Sequence, residues 1–351
     1  MASHGTGFIG SVVTALLAGS MIWSATTPAR SADFYAGKTL TVIVGTDEAG
    51  GFSIYSRLIG SYLGRHISGA PNVIVQNMPG AGGSTAAAYL YHQAPRDGTT
   101  IANLTPDSIM DRLFGRKSEI DPTQFEYLAG AERSTRLCAT SALSHVKTLE
   151  QALKDKVIIG ATQVGSPTSD YANLIKRTTA AKFEIVNGYA GTGALYLAME
   201  RGEIDGMCGF DWSALKAQKP ELLRDKKINL LVQVNVKSDP ELDALGVPQP
   251  WKFIPDSLDR QAVELMIDFQ QAFGKAYVAP PQVPGDRLKL LRDAFEGVLG
   301  DKQFLAEAEK IRIEITPVSG ADVAATVRNL YAAPTPVVER LRAIAVDAKA
   351  Q

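Results

Sequence analysis

An α/β fold of two domains, each a mostly parallel sheet flanked by helices, follows from three features of the chain. Strand-like runs alternate with helical patterns along most of its length. Glycine-rich turns stand after the strands in both halves. Hydrophobic residues make up 45% of the 351 residues, enough for two cores.

The elements read in order as follows. "TLTVIV" is a strand that feeds "SIYSRLIGSYLGRH", where Ile54, Leu58, Ile59, Tyr62 and Leu63 fall at helical spacing. "NVIVQN" feeds the helix "GGSTAAAYLYHQA", and "TTIANL" feeds a helix over "PDSIMDRLF". "FEYLAG" and "RLCATS" are two more strands. "KVIIGA" then leads to "SPTSDYANLIKRTT", where Ser166 caps and Pro167 fits the first helical position. "KFEIVN" leads to "GTGALYLAMERG", and "INLLVQVNV" closes the series. "DPELDALGVPQPWKFIPDS" is rich in turn residues and reads as a crossing between domains. Beyond it lie a long helix ending at a strand in "RQAVELMIDFQQAFGKAYVAP", a helical stretch from Gly285, and two helices broken at Pro334 to Pro336.

Ligands of such sheets sit beyond the carboxyl ends of the strands. The loops there carry Gly50 and Gly51, Gly80 to Gly83, Gly160 and Gly165, and Gly188 to Gly193. A site between two domains is the economical reading.

Charge excludes some functions. Lys plus Arg number 36 and Asp plus Glu 37, a net of -1, so no overall field draws nucleic acid or anionic lipid. "GATQVGSP" has a P-loop's glycine spacing but lacks the Lys that reaches the outer phosphates. "GTGALY" is a partial dinucleotide fingerprint without its third Gly. No H-E-x-x-H, C-x-x-C or G-x-S-x-G occurs, so neither a metal site nor a serine hydrolase is expected, and no cofactor is.

Phe8 to Trp23 is largely apolar and is followed by small residues, which reads as a secretory signal over 1–32, cleaved after Ala29 or Ala32. Its first segment lacks Lys and Arg, which departs from that pattern. Cys138 and Cys208 are the two cysteines. In an oxidising compartment they form one disulfide; the alternative is two buried thiols.

Three segments, in order, resemble the tripartite tricarboxylate transporter substrate-binding proteins, the Bug family. "FYAGKTLTVIVGTDEAGGFSIYSRLIGSYLGRHI" resembles their opening, with its strand, APGGGTD-type loop and helix. "VIVQNMPGAGGSTAAAYLYHQAPRDGTTIA" resembles the V-V-x-N-x-P-G-A-G-G segment and the P-D-G-Y-T strand. "VNGYAGTGALYLAMERGEIDGMCG" resembles Y-x-G-x-x-x-A-x-x-x-L-x-x-G-x-v-D. The similarity runs from about Phe34 to Asp211, and more faintly to the C-terminus.

The resemblance implies a periplasmic clam-shell of the type II kind, with domain 1 from 33–134 and 252–351 and domain 2 from 135–251. It implies capture of a small organic acid or related polar molecule, handed unchanged to a membrane permease or a sensor. The protein is expected to be a monomer and not an enzyme. Physics agrees: backbone N–H groups at helix N-termini hold carboxylates, and glycines let the backbone approach.

The expected ligand-binding residues are Thr46, Asp47, Glu48, Ala49, Gly50, Gly51, Phe52 and Ser53 of the first loop, with Gly82, Gly83, Thr105 and Asp107. Asn77 shapes the turn or faces the ligand. In the second half they are Thr162, Gly165, Ser166, Gly191 and Thr192, with Asp211 at a rim or hinge. Tyr189 reads as a cleft wall or ligand donor, with a packed aromatic as the plainer alternative.

The first loop departs from the family. Gly50 and Gly51 match, but Phe52 and Ser53 replace Thr and Asp, and Asp47 and Glu48 replace small residues. If an acid here faces the cleft, as the glycines suggest, it repels a second ligand carboxylate and favours a monoacid bearing amino or hydroxyl groups. A different class of reading uses Asp47 and Glu48 in the same cleft as the acids of a small-molecule hydrolase or lyase.

Overall fold

A computed structural model describes residues 34–345 except Ala49, Gly50, Phe114, Arg116, Lys117, Ser134, Gln163, Val164 and Gly165, together with residues 1, 2, 4, 5 and 7. Ser31–Gln351 cluster as one unit and Met1–Arg30 as another, of which only those five residues are described. The signal segment therefore lies outside the described residues.

The strands are β1 (Thr39–Val44), β2 (Asn72–Asn77), β3 (Thr100–Asn103), β4 (Glu126–Gly130), β5 (Arg136–Ser141), β6 (Val157–Ala161), β7 (Phe183–Asn187), β8 (Gly206–Asp211), β9 (Ile228–Val234), β10 (Ala276–Ala279) and β11 (Val318–Ser319). The helices are α1 (Gly51–Leu63), α2 (Ser84–His92), α3 (Leu149–Ala152), α4 (Pro167–Thr179), α5 (Thr192–Glu200), α6 (Trp212–Gln218), α7 (Pro220–Arg224), α8 (Pro240–Ala244), α9 (Ser257–Ala272), α10 (Gly285–Leu299), α11 (Lys302–Lys310), α12 (Gly320–Tyr331) and α13 (Thr335–Ala345).

These form two sheets. The first has the order β11-β4-β10-β3-β1-β2, the second β7-β6-β8-β5-β9. We call each sheet with its helices a lobe. The chain crosses between lobes after β4 and returns after β9.

The sheets are mixed, which corrects the expectation of mostly parallel ones. Four strand pairings are parallel and five antiparallel. In the first sheet the parallel strands are linked by helices, β1 to β2 by α1 and β2 to β3 by α2. The antiparallel pairings involve β5 and β10, the first strands after each crossing between lobes, and the short β11. β5 enters the second sheet straight from the first and pairs antiparallel to β8 and β9. β10 arrives from α9 and inserts between β3 and β4.

Side chains alternate faces as strand geometry requires. On β1, Leu40 and Val42 enter a core with Ile59, Leu63 and Phe295, while Ile43 points to the opposite core. On β5, Leu137 and Ala139 share one core with their cross-strand neighbours Phe210 and Met207, while Cys138 belongs to the other core, with Tyr171 of α4. Local signals set the helix starts. Ser166 Oγ accepts from Ser169 N and Pro167 opens α4. Asp256 accepts from Leu258 N and Asp259 N at the start of α9. Each such cap contributes about 1 kcal/mol.

One expected helix is nearly absent. "PDSIMDRLF" forms a single 3₁₀ turn over Pro106–Ile109. Tertiary partners take the carbonyls that a helix would have used: Tyr331 Oη donates to Ile109 O and Arg342 Nε donates to Leu113 O. Burial of Ile109, Met110 and Leu113 then fixes the segment as core.

Candidate functional site

β1, β2 and β3 run in parallel, so their carboxyl ends open onto one edge of the first sheet. The β1–α1 loop there is pinned from beneath. Asn77 Nδ2 lies 2.8 Å from Thr46 O, 3.1 Å from Asp47 O and 2.6 Å from Ser53 Oγ. Ser53, buried, donates in turn to Asp47 O at 2.5 Å. Asn77 is thus a turn-shaping residue by its contacts.

This pinning turns the loop's carbonyls inward and its acids outward. Asp47 and Glu48 are exposed, and Glu48 stands 3.9 Å from Arg57 with 82% of its side chain in solvent. Neither is among the described residues that line the cavity described below. Ala49 and Gly50 lie outside the described residues.

The next loop packs by glycine. Gly83 has φ +98°, and a Cβ there would meet Thr105 Oγ1 at 2.4 Å. Thr105 Oγ1 donates to Gly82 O at 2.7 Å, so Thr105 ties the second and third loops together. Asp107 follows in the 3₁₀ turn.

In the second lobe, Thr162, Ser166 and Thr168 form a hydroxyl triad with oxygens 2.8 to 3.0 Å apart. Gly188 N donates to Thr162 O at 2.5 Å, which joins the loops after β6 and β7. Tyr189 packs on the second lobe's core beside Gly160. Gly191 precedes α5 and Thr192 opens it. Gly165 lies outside the described residues. None of these walls the cavity described next.

A cavity of about 70 Å³ lies where the lobes meet. Gly51 and Tyr55 of α1 and Asp211 and Ser213 of the second lobe line it, with Glu132 and Lys275 at its floor. Sequence reading had named only Gly51 and Asp211 of these six. Lys275 and Glu132 are 5% and 2% exposed, with Nζ 3.2 Å from Oε2. Ser213 Oγ donates to Glu132 Oε1 from the other lobe. The ammonium of Lys275 also lies 4.6 Å from the ring of Phe52 and 5.3 Å from that of Tyr55. Tyr55 donates to Glu314 O at 2.7 Å. Burial, then the nearby Glu132 and Asp211, push the Tyr55 phenol far above its ordinary range, so it acts only as a neutral hydroxyl.

Beside this cavity Asp211 faces Arg136. Arg136 Nη1 is 3.1 Å from Asp211 Oδ1, close enough for charge attraction, yet that buried oxygen has no aligned hydrogen bond among the described residues. The same guanidinium donates to Gly209 O at 3.0 Å. Burial pulls the Arg136 pKa down, but Asp211, Tyr171, Glu132 and Asp107 outweigh it and the net shift is upward. Asp107 comes from the first lobe, so the charge cluster spans both. The Tyr171 hydroxyl is buried and has no hydrogen-bond partner among the described residues.

At about 70 Å³ the cavity falls well below the few hundred Å³ usual for a ligand pocket. A groove of about 340 Å³ shares its wall at Ser213 and 312–314 and includes Lys216. The pair Cys138–Cys208 forms a disulfide between directly opposed positions of β5 and β8, behind this site.

No protein-family model and no curated protein matches the chain. Solved structures do. A TctC solute-binding protein from Polaromonas, solved without ligand, is 17% identical with a TM-score of 0.66, over 88% of this chain and 100% of its own. An adipate-bound protein from R. palustris is 22% identical with a TM-score of 0.63, over 88% and 99%. The malate-bound MatC of Rhodopseudomonas palustris is 18% identical with a TM-score of 0.60, again over 88% and 99%. The fold is therefore the two-lobed one of these binding proteins. Among the described residues, no helix is long and apolar enough to cross a membrane.

Proposed function

We propose that the protein captures a small organic acid or related polar molecule between its lobes and delivers it, unchanged, to a membrane permease or sensor. The observation that carries this reading is the cavity lined by residues of both lobes, within a fold shared with an adipate-bound and a malate-bound protein. A cavity of about 70 Å³ is smaller than such a guest, so capture requires the lobes to part and close again. The moving bodies are 33–134 with 252–351, and 135–251. The apolar stretch Phe8–Trp23 supports export to the periplasm, with removal of 1–32 and action as a monomer. The β1–α1 loop, the loop at Gly82 and Gly83, Thr105 and Asp107 form one jaw. Thr162, Ser166, Tyr189, Gly191, Thr192 and Asp211 form the other.

A thermal-shift panel of malate, adipate, benzoate and L-aspartate tests this. A ligand that binds only the folded chain adds about 2.7 kcal/mol at a hundred times its dissociation constant. At least one acid should raise the melting temperature by several degrees and be recovered intact. Conversion of the acid to a product by the purified protein would reject the reading.

A further inference from the structure

We infer that the guest of this cleft is a zwitterionic amino acid, its carboxylate taken by Lys275 and its ammonium by Glu132. The inference rests on the solute-binding reading and adds the ligand's charge pattern to it. Lys275 precedes β10 and Glu132 follows β4. Ala131 N donates to Lys275 O at 3.1 Å, which brings the two side chains level at the sheet edge. Both are almost wholly withdrawn from solvent, and both border the cavity between the lobes.

The bonding of each group leaves capacity for a guest. An ammonium has three donor hydrogens. Among the described residues, Lys275 has one carboxylate partner, Glu132, and otherwise faces the rings of Phe52 and Tyr55. A carboxylate accepts up to about four hydrogen bonds. Glu132 has Lys275 on one oxygen and the Ser213 hydroxyl on the other.

Charge balance then selects the guest. Buried charges are tolerated when each one is paired. A dicarboxylate would bring two negative charges to a cavity already lined by three acids, Glu132, Asp211 and Glu314, against two cations, Lys275 and Arg312. A zwitterion inserts between Lys275 and Glu132 with every charge still paired. Asp211, paired with Arg136, stands on the same wall and adds to the field that favours an ammonium there. The acids that discriminate against polyanions are thus Glu132 and Asp211, rather than the exposed Asp47 and Glu48.

A purely structural role for the pair, fastening the lobes through Ser213, makes a different prediction: its loss changes stability and leaves ligand preference alone. Calorimetric titration of the purified protein with glycine, L-alanine, L-serine and L-aspartate, each beside acetate, propionate, lactate and malate, separates the two. The amino member should bind at least roughly tenfold more tightly. Glu132→Gln should erase that preference, and Lys275→Met should weaken both members. Glu132→Gln/Lys275→Met removes both charges at similar volume; it should melt close to the wild type and show no preference. Malate or propionate binding as tightly as its amino partner, or a preference unchanged in Glu132→Gln, overturns the inference while leaving a solute-binding protein for another acid. Failure of the wild type to bind any of the eight overturns the inference, and failure to bind adipate and benzoate as well overturns the solute-binding reading.

Discussion

Arg136 and Asp211 are cross-strand partners at the ends of β5 and β8, with Nη1 3.1 Å from Oδ1 and both side chains less than a fifth exposed. Removing one partner of such a pair leaves the other charge enclosed. For a fully buried pair that costs about 3–5 kcal/mol, and partial exposure here reduces it to about 1–3 kcal/mol. Asp211→Ala should therefore lower the urea midpoint clearly. Asp211→Asn, which keeps the shape and loses only the charge, should lower it less. Equal and negligible effects would show that the pair contributes nothing.

The disulfide Cys138–Cys208 closes a loop with a sequence separation of 70. Chain-entropy arguments put the stabilisation from such a loop at about 4 kcal/mol. The Cys138→Ala/Cys208→Ala protein should unfold at lower denaturant by roughly that amount. Wild-type protein, unfolded without reductant, should yield no thiol to alkylation.

Gly209 makes a very close backbone approach in the second lobe. Its φ is +72°, and a Cβ there would lie 2.1 Å from Pro167 O. Its own carbonyl accepts from Arg136. The strained φ alone costs a side chain about 1–3 kcal/mol. Gly209→Ala should exceed that cost in thermal melts, because α4 must also shift. Gly191→Ala, with nothing within 4 Å of its Cβ, is the control and should be near neutral.

Much of the frame was legible because its signals are local. The alternation in "TLTVIV" and "NVIVQN" gave β1 and β2 to the residue, and Ser166 with Pro167 marked the start of α4. The floor of the site was not legible. Lys275 in "FGKAYVAP" and Glu132 in "GAERST" belong to no site motif in the sequence. They are buried only because β10 inserts beside β4, a pairing of segments about as far apart as Gly130 and Ala276, which no local pattern encodes. The clue, weak in sequence, is a charge placed directly against the fully buried strand Ala276–Ala279. The direction of Asp47 and Glu48 was hidden for the same reason: Asn77, on another strand, decides it.

Glu314 gives the pH dependence its sign. Burial raises its pKa above the ordinary 4.5; Lys216 opposes this, while Glu132, Asp239 and Glu241 add to it. A carboxyl whose folded pKa exceeds its unfolded one binds protons more readily in the fold. Its contribution is full below the unfolded pKa and is lost as pH rises through the folded one. Wild-type stability should thus fall relative to Glu314→Gln as pH climbs above about 4.5. A constant difference between the two proteins would contradict the shift.

The central claim is that this chain holds a small acid between its lobes and does nothing to it. The most direct measurement is ligand-observed NMR during titration with the tightest binder of the acid panel, continued for a day. The account predicts saturation at one ligand per chain and an unchanged ligand spectrum after displacement. New resonances that accumulate with time in proportion to protein would contradict it.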